Sequence, residues 1–423
     1  MASILGKKLL LILYVSITVG CTLSMATDVR KNASAAGNDF ALDLYSRLAD
    51  SEGNLFFSPA SIETALAMTY AGAKSRTAKQ MAKVLHFEKA GQGVHQEFQS
   101  LLQQLNNPSI VKSYEKIGDE IKPVEKPAYE LVIANALWGQ QGYPWNQAFL
   151  TLTESNYGAG LRPVDFANHP DEARKTINDW VEEKTRDRIK DLIAKGTISP
   201  MMRLILTNAI YFKAAWADTF DDHATREMPF HVSESSQVPV SMMFQNKDFH
   251  YLETDCFQAL EMPYKAYELS MIVFLPKMAN GLDNFEKALS AEKLDGWRAA
   301  LHREEVEVYF PKFVFTSSFS LSKTLKALGM EDAFSPTSAD FSGMTTAEER
   351  VFISEVIHKA FVAVDENGTT AAAATAVMMQ ATAMPMPKPE PKVFRADHPF
   401  LFCIFHNPTG KILFMGRVTD PRT

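Results

Sequence analysis

Between Asn367 and Pro387 the chain carries no charged residue, and between Val364 and Met384 it carries no proline. The stretch runs Gly368-Thr369-Thr370, then Ala371-Ala372-Ala373-Ala374-Thr375-Ala376. After Met384 proline recurs at every second position, as Pro385, Pro387, Pro389 and Pro391. That spacing favours an extended backbone with few free N–H groups. On composition alone, a flexible alanine-rich linker, or a surface helix ending in a proline tether, is the better reading. Exposed linkers and helices are usually solubilised by charge, however, and this one has none. Small, uncharged side chains with every N–H intact suit a segment that slips between two strands of an existing sheet. Such an insertion must not clash, bury an unpaired ion or break a ladder. With period two, Thr369, Ala371, Ala373, Thr375, Val377 and Met379 share one face. Gly368 is the pivot, because glycine absorbs large dihedral changes cheaply.

The rest of the 423 residues reads as an ordinary folded protein, 46% hydrophobic and 22% charged. A net charge of −7 without long single-sign runs argues against a nucleic-acid binder. The mixed charges from Lys112 to Lys126 give no support to a glycosaminoglycan or other polyanion site. Lys7 and Lys8, the apolar run Leu9 to Gly20 and the small-residue site Ser24-Met25-Ala26 are the pattern of an export signal over residues 1–26. The run is too short to span a bilayer as a helix. A secreted domain of residues 27–423 is therefore expected. A buried helix is one alternative. A lipid anchor on Cys21, as in a bacterial lipoprotein, is another, although Thr18 and Val19 fit it poorly. Cys256 and Cys403 lie in strand-like apolar stretches and are expected as two buried free thiols rather than a disulfide.

Helical patterns come first along the chain. Phe40, Leu44 and Leu48 recur at a spacing of four. Ile62 to Ala71 is apolar, with Ser61 as its cap and Gly72 as its stop. Thr77 and Gln80 have capping-box spacing. Ile177, Trp180 and Val181 share a helix face. The polar region Asn106 to Pro127 reads as a surface helix or loop. Strands dominate later. Leu204 to Phe212 is a doubly buried strand. Gln258 to Tyr264 and Leu269 to Leu275 form a hairpin. Val306, Val308 and Phe310 are the dry face of a half-buried strand. Phe400 to Phe405 and Ile412 to Val418 flank a turn at Asn407-Pro408-Thr409-Gly410. Helices early and strands late imply an α+β fold.

Several motifs, in this order, resemble the serpin family across nearly the whole chain after residue 26. They are Asn54-Leu55-Phe56-Phe57-Ser58-Pro59-Ala60-Ser61-Ile62, Ala71-Gly72-Ala73, Thr207-Asn208-Ala209-Ile210-Tyr211-Phe212-Lys213 with Trp216, and Glu261-Met262-Pro263-Tyr264. Ile353-Ser354-Glu355-Val356-Ile357-His358-Lys359, Asp397-His398-Pro399-Phe400-Leu401-Phe402 and Phe414-Met415-Gly416-Arg417-Val418 complete the series. The resemblance implies one domain with three β-sheets, about eight or nine helices and an exposed reactive-centre loop at about residues 366–391. It also implies suicide inhibition of a serine protease, or alternatively a cysteine protease. The protease attacks the loop, and the cut loop inserts into the main sheet, trapping the acyl-enzyme; serpin insertion is itself an established case of strand addition. Counted from Gly368, the scissile bond falls at Thr382-Ala383, with Met379, Ala381 and Met384 as alternatives. Small residues there fit an elastase-like pocket.

The resemblance also assigns roles. Glu366, Gly368, Thr369, Thr370, Ala371, Ala372, Ala373 and Ala374 form the hinge. Ser58, Ser61, Asn208 and His358 form a shutter beneath the main sheet, and Trp216 lies near the top, where insertion begins. Read without it, a Ser at a helix start is a cap, a lone His is a satisfied core residue and a Trp is packing. Asn367 departs from the family, which usually carries charge there. It completes the glycosylation sequon Asn367-Gly368-Thr369, expected unmodified because a glycan would block insertion. A second sequon, Asn32-Ala33-Ser34, is harmless. A non-inhibitory serpin acting as carrier, storage protein or chaperone is the nearer alternative. An enzyme is the farther one: no G-x-S-x-G, H-E-x-x-H, phosphate-binding Gly-Lys loop or C-x-x-C occurs, and the ten histidines lack metal-ligand spacing. No catalytic residue, metal or cofactor is expected, and the chain is expected to be a monomer.

Overall fold

A computed structural model describes residues 38–89, 91–117, 120–369 and 390–422. The expected export signal, the lipid-anchor site Cys21, the first sequon, hinge residues Thr370 to Ala374 and the bond Thr382-Ala383 lie outside them.

Five helices and five strands come first. Helix α1 (38–48) buries Phe40, Leu44 and Leu48, the residues spaced by four. Next are β1 (Leu55–Phe57), α2 (Pro59–Tyr70), α3 (Ser75–Val84), α4 (Val94–Leu105), β2 (Ile110–Ile117), β3 (Glu120–Pro127) and β4 (Tyr129–Gln140). Then come α5 (Gln147–Tyr157) and β5 (Leu161–Val164). Helix α6 (Pro170–Lys184) precedes the long strands β6 (Leu204–Ala215), β7 (Arg226–Ser233), β8 (Ser236–Glu253), β9 (Phe257–Pro263) and β10 (Leu269–Pro276). After α7 (Leu282–Lys287) and α8 (Ala291–Ala300) come β11 (His302–Pro311), β12 (Phe313–Ser320), α9 (Ser322–Ala327) and β13 (Glu355–Asp365). The chain ends with β14 (Gly368–Thr369), β15 (Lys392–Arg395), β16 (Phe400–His406) and β17 (Lys411–Val418). The fold is α+β, with nine α-helices and three sheets among the described residues.

The main sheet has six strands in the order β12-β13-β14-β6-β4-β5. Its side chains alternate between two dry layers, as period two requires. Ile205 and Ala209 of β6 and Ile357 of β13 meet Ile177 and Val181 of α6 on one face. Ile210 and Phe212 of β6 and Val362 and Val364 of β13 pack on the other against Phe56, Phe402 and Phe414. A nine-stranded sheet, β1-β17-β16-β10-β9-β8-β11-β15 with β7 on β8, supplies that second layer. Both expected hairpins form within it, β9 with β10 and β16 with β17. Val306, Val308 and Phe310 are buried along β11, as the alternation implied.

Four local expectations are corrected. Residues 110–127 form a two-stranded ribbon, β2 against β3, not a helix or plain loop. Its core-type alternation is weak because most of its described residues face water, and Pro123 and Pro127 sit in β3, where an edge strand tolerates proline. The cap of α2 is Ser58, whose oxygen accepts from the Ser61 amide, while Ser61 lies inside the helix. No capping box forms at Thr77. Helix α3 starts at Ser75 after Lys74, and the Thr77 hydroxyl and Gln80 carbonyl instead accept from the backbone amides of Asp340 and Asp332. Cys403 is buried but Cys256 is exposed, in the turn before β9 where Thr254 takes its amide. Both thiols are free, and burial pushes that of Cys403 well up.

Candidate functional site

Strands β6 and β13 run parallel and pair from Ile205 with Glu355 to Ile210 with Ala360. Above that point they part, and β14 stands between them. Thr369 pairs with Val364 on one side and Ala214 on the other, and Gly368 pairs likewise with Asp365 and Ala215. Two residues of the expected hinge therefore occupy the upper end of the seam as a short antiparallel strand.

A tight turn feeds them in. The Asp365 carboxylate accepts from the amides of Asn367 (2.8 Å) and Gly368 (3.2 Å). Gly368 has φ +150°, and a Cβ there would lie 2.1 Å from the Ala214 carbonyl oxygen. Only glycine meets both conditions. Trp216 clamps the turn: its ring N–H donates to the Asp365 carbonyl (3.0 Å) and its amide to the Asn367 carbonyl (2.9 Å). The indole stacks on Tyr264 at 4.6 Å, and the Tyr264 hydroxyl shares a 2.7 Å hydrogen bond with that of Thr369. The sequon hydroxyl is thus buried and engaged. Glu366 is 5% exposed, with Lys312 Nζ at 2.7 Å and the Thr225 hydroxyl at 2.7 Å on its two oxygens. Burial alone would raise its pKa, but these hydrogen bonds outweigh it and hold the carboxylate low.

Lower down, the structure gathers Ser58, Ser61, Asn208 and His358, from three separate stretches of chain, into one buried network. The Ser58 hydroxyl donates to the Leu413 carbonyl (2.6 Å). The Ser58 amide donates to His358 Nε2 (3.2 Å), so that nitrogen is bare and Nδ1–H donates to Asn208 Oδ1. Asn208 Nδ2 donates to the Ser61 hydroxyl (2.7 Å) and to Asn135 Oδ1. Asn208 and His358 face each other in register, so their hydrogen bond crosses the β6–β13 seam. Burial drives the His358 pKa down to about 3, and the ring is neutral near pH 7. Trp216 belongs to the other group, at the hinge.

Sequence reasoning missed four members. Asn135 is a lone amide in the apolar run of β4, which could have marked it as a buried polar group needing partners. Lys312 and Thr225 carry no local signal, and Tyr264 stood inside a motif without a role. No group of three or more His, Cys, Asp or Glu residues that could hold a metal ion occurs among the described residues. Nothing in either cluster pairs a nucleophile with a base: each hydroxyl and imidazole is committed to holding strands.

A family model described as Serpin (serine protease inhibitor) matches residues 35–421. A leukocyte elastase inhibitor of Xenopus laevis is 40% identical, over 92% of this chain and all of that protein. A serpin-like protein of Thermococcus kodakarensis is 42% identical over 91% of this chain and 85% of its own length. Among solved structures, uncleaved ovalbumin superposes with a TM-score of 0.80 at 31% identity, covering 92% of this chain and 99% of that one.

Proposed function

The chain belongs to the serpin family, and from that premise we propose that it is a secreted suicide inhibitor of a serine protease with a small, elastase-like specificity pocket. One observation carries the reading: the register of β14. Each step onward along the loop moves one residue back along β6. Continued past Thr369, that ladder sets Ala371 opposite Phe212, Ala373 opposite Ile210, Thr375 opposite Asn208, Val377 opposite Leu206 and Met379 opposite Leu204. Residues directly opposite share a face. Phe212, Ile210, Leu206 and Leu204 all point into the core. The face that period two assigns to the loop is therefore the face the sheet would bury. To admit it, the pairs from Glu355 to Ala360 must part, and Thr375 arrives where the His358–Asn208 bond was broken.

The protease serine would attack the Thr382 carbonyl, the bond to Ala383 would break, and insertion would carry the acyl-enzyme away before water releases it. The small residues at that bond and the name of the elastase-inhibitor relatives support the choice of target. A cysteine protease is a second target class for the same loop. Incubation with a panel of such proteases should give an SDS-stable complex and a released peptide beginning at Ala383. Thr369→Arg should be cut without a complex, because insertion would bury an unpaired charge. Clean cleavage of the natural chain, with no complex and no gain in heat stability, would leave a carrier, storage protein or chaperone instead. Secretion rests on residues 1–26 alone. An N-terminus at Thr27 in the mature protein supports it, and a lipid-modified Cys21 overturns it.

A further inference from the structure

We propose that Asn367–Gly368 is a self-modification site: the seated hinge protects this pair from deamidation, and when the hinge leaves the sheet it converts to isoaspartate and permanently loses the ability to insert. The second half of the proposal rests on reading the chain as an inserting inhibitor.

The chemistry needs only water. The Gly368 nitrogen gives its proton to solvent base and attacks Cγ of Asn367. The new N–C bond closes a five-membered succinimide, the Cγ–Nδ2 bond breaks, and the nitrogen takes up a proton and leaves as ammonia. Water then adds to one of the two ring carbonyls. One opening gives aspartate. The other gives isoaspartate, whose main chain runs through the former side-chain carbon and is one atom longer. A glycine successor favours closure because no Cβ crowds the attacking nitrogen. Here glycine is obligatory, since φ is +150° and a Cβ would strike Ala214 and Ala215. The fold thus fixes the labile partner beside an asparagine.

In the seated hinge every backbone group that must move is held. The Gly368 amide donates to the Asp365 carboxylate, whose negative charge opposes loss of that proton. The Asn367 amide donates to the same oxygen, and its carbonyl accepts from Trp216. Gly368 itself is paired on both edges. Ring closure therefore waits for a local opening that frees β14. An isoaspartate at 367 would lengthen the turn between Asp365 and Gly368 and add charge beside Asp365 and Glu366. Gly368 could then no longer meet both Asp365 and Ala215.

The full chain is aged at mildly alkaline pH, in native buffer and in guanidinium, and conversion at 367 is followed by peptide mass and by elution of the isoaspartyl form. Native protein should convert roughly tenfold or more slowly than unfolded protein, and Tyr264→Phe, which loses the Thr369 bond, should convert faster than the parent. Complex yield with a susceptible protease should fall in proportion to isoaspartate, the remainder being cleaved without complex. Asn367→Gln, whose ring would be six-membered and slow to close, should keep its starting yield. Equal rates in native and unfolded protein overturn the protection, and full complex yield from isoaspartate-containing protein overturns the inactivation. If fresh protein forms no complex at all, the inhibitor reading fails, while the conversion rates still decide the protection.

Discussion

Below Ala360 the β6–β13 seam is closed by direct strand pairing and a buried network of neutral polar groups. Above it the seam is wedged by two hinge residues and pinned by a charged pair, Glu366 with Lys312. The lower closure is dry and its hydrogen bonds are complete, so it yields only when several bonds break together. The upper closure is partly wet, because the Lys312 side chain is 39% exposed. One end is built to resist opening and the other is already open by two residues. A strand that enters from the top meets its resistance at the bottom.

The largest effect is expected from reversing the upper pin. Glu366→Lys removes the partner of Lys312 and sets two cations together at a half-wet site, costing up to about 3 kcal/mol once solvent screening of Lys312 is allowed for. The melting temperature should fall and the protein should self-associate on a native gel. An unchanged melting temperature would mean that strand pairing alone seats the hinge. At the lower end, Asn208→Ala strands the partners on His358, Ser61 and Asn135 and should cost about 2 to 3 kcal/mol in chemical denaturation. Because Trp216 lies with the hinge, its fluorescence should stay near the parent's; a shift there would join the two ends into one unit.

Acid separates the ends by a graded effect that is smaller over any one pH unit. The His358 pKa is lowered from 6.5 to about 3 by burial, so the closed seam binds fewer protons than an opened one between those values. Closure is therefore at full strength above about pH 6.5 and weakens as pH falls, by about 1.4 kcal/mol per unit until near pH 3. The population of the opened seam should rise about tenfold per unit below pH 6.5, and His358→Gln should flatten that slope. A slope that survives the substitution would place the proton uptake elsewhere. The smallest effect belongs to Tyr264→Phe, which keeps the stack on Trp216 and loses one hydrogen bond, about 1 kcal/mol.

Much of this was legible beforehand because it is written in periodicity. The doubly buried run Leu204 to Phe212, the alternation at Val306, Val308 and Phe310, and both late hairpins depend on neighbours in sequence. Family motifs pointed to Ser58, Ser61, Asn208 and His358 as one group under the sheet and to Trp216 near its top, but not to the hydrogen bonds each of them makes. The ribbon at 110–127 is not legible in the sequence, because burial drives the readable pattern and a largely solvated ribbon has little of it. The cap of α2 is Ser58 and not Ser61 because Pro59 at the first turn starts the helix three residues earlier than the apolar run does.

By itself the sequence determined the nature of the segment from Asn367 to Met384: small, uncharged and free of proline, hence able to become a strand inside a sheet. Those are properties of residue types, and no folding is needed to read them. Only the tertiary structure decided that Gly368 and Thr369 stand between β13 and β6, with Thr369 paired to Val364 on one side and Ala214 on the other. It also decided that Lys312 and Thr225 hold Glu366, and that Asn135 completes the network around Asn208. The partners in these contacts lie 54 to 141 residues apart along the chain. No local pattern links them, because their meeting is set by where separate stretches of chain come to rest in the fold.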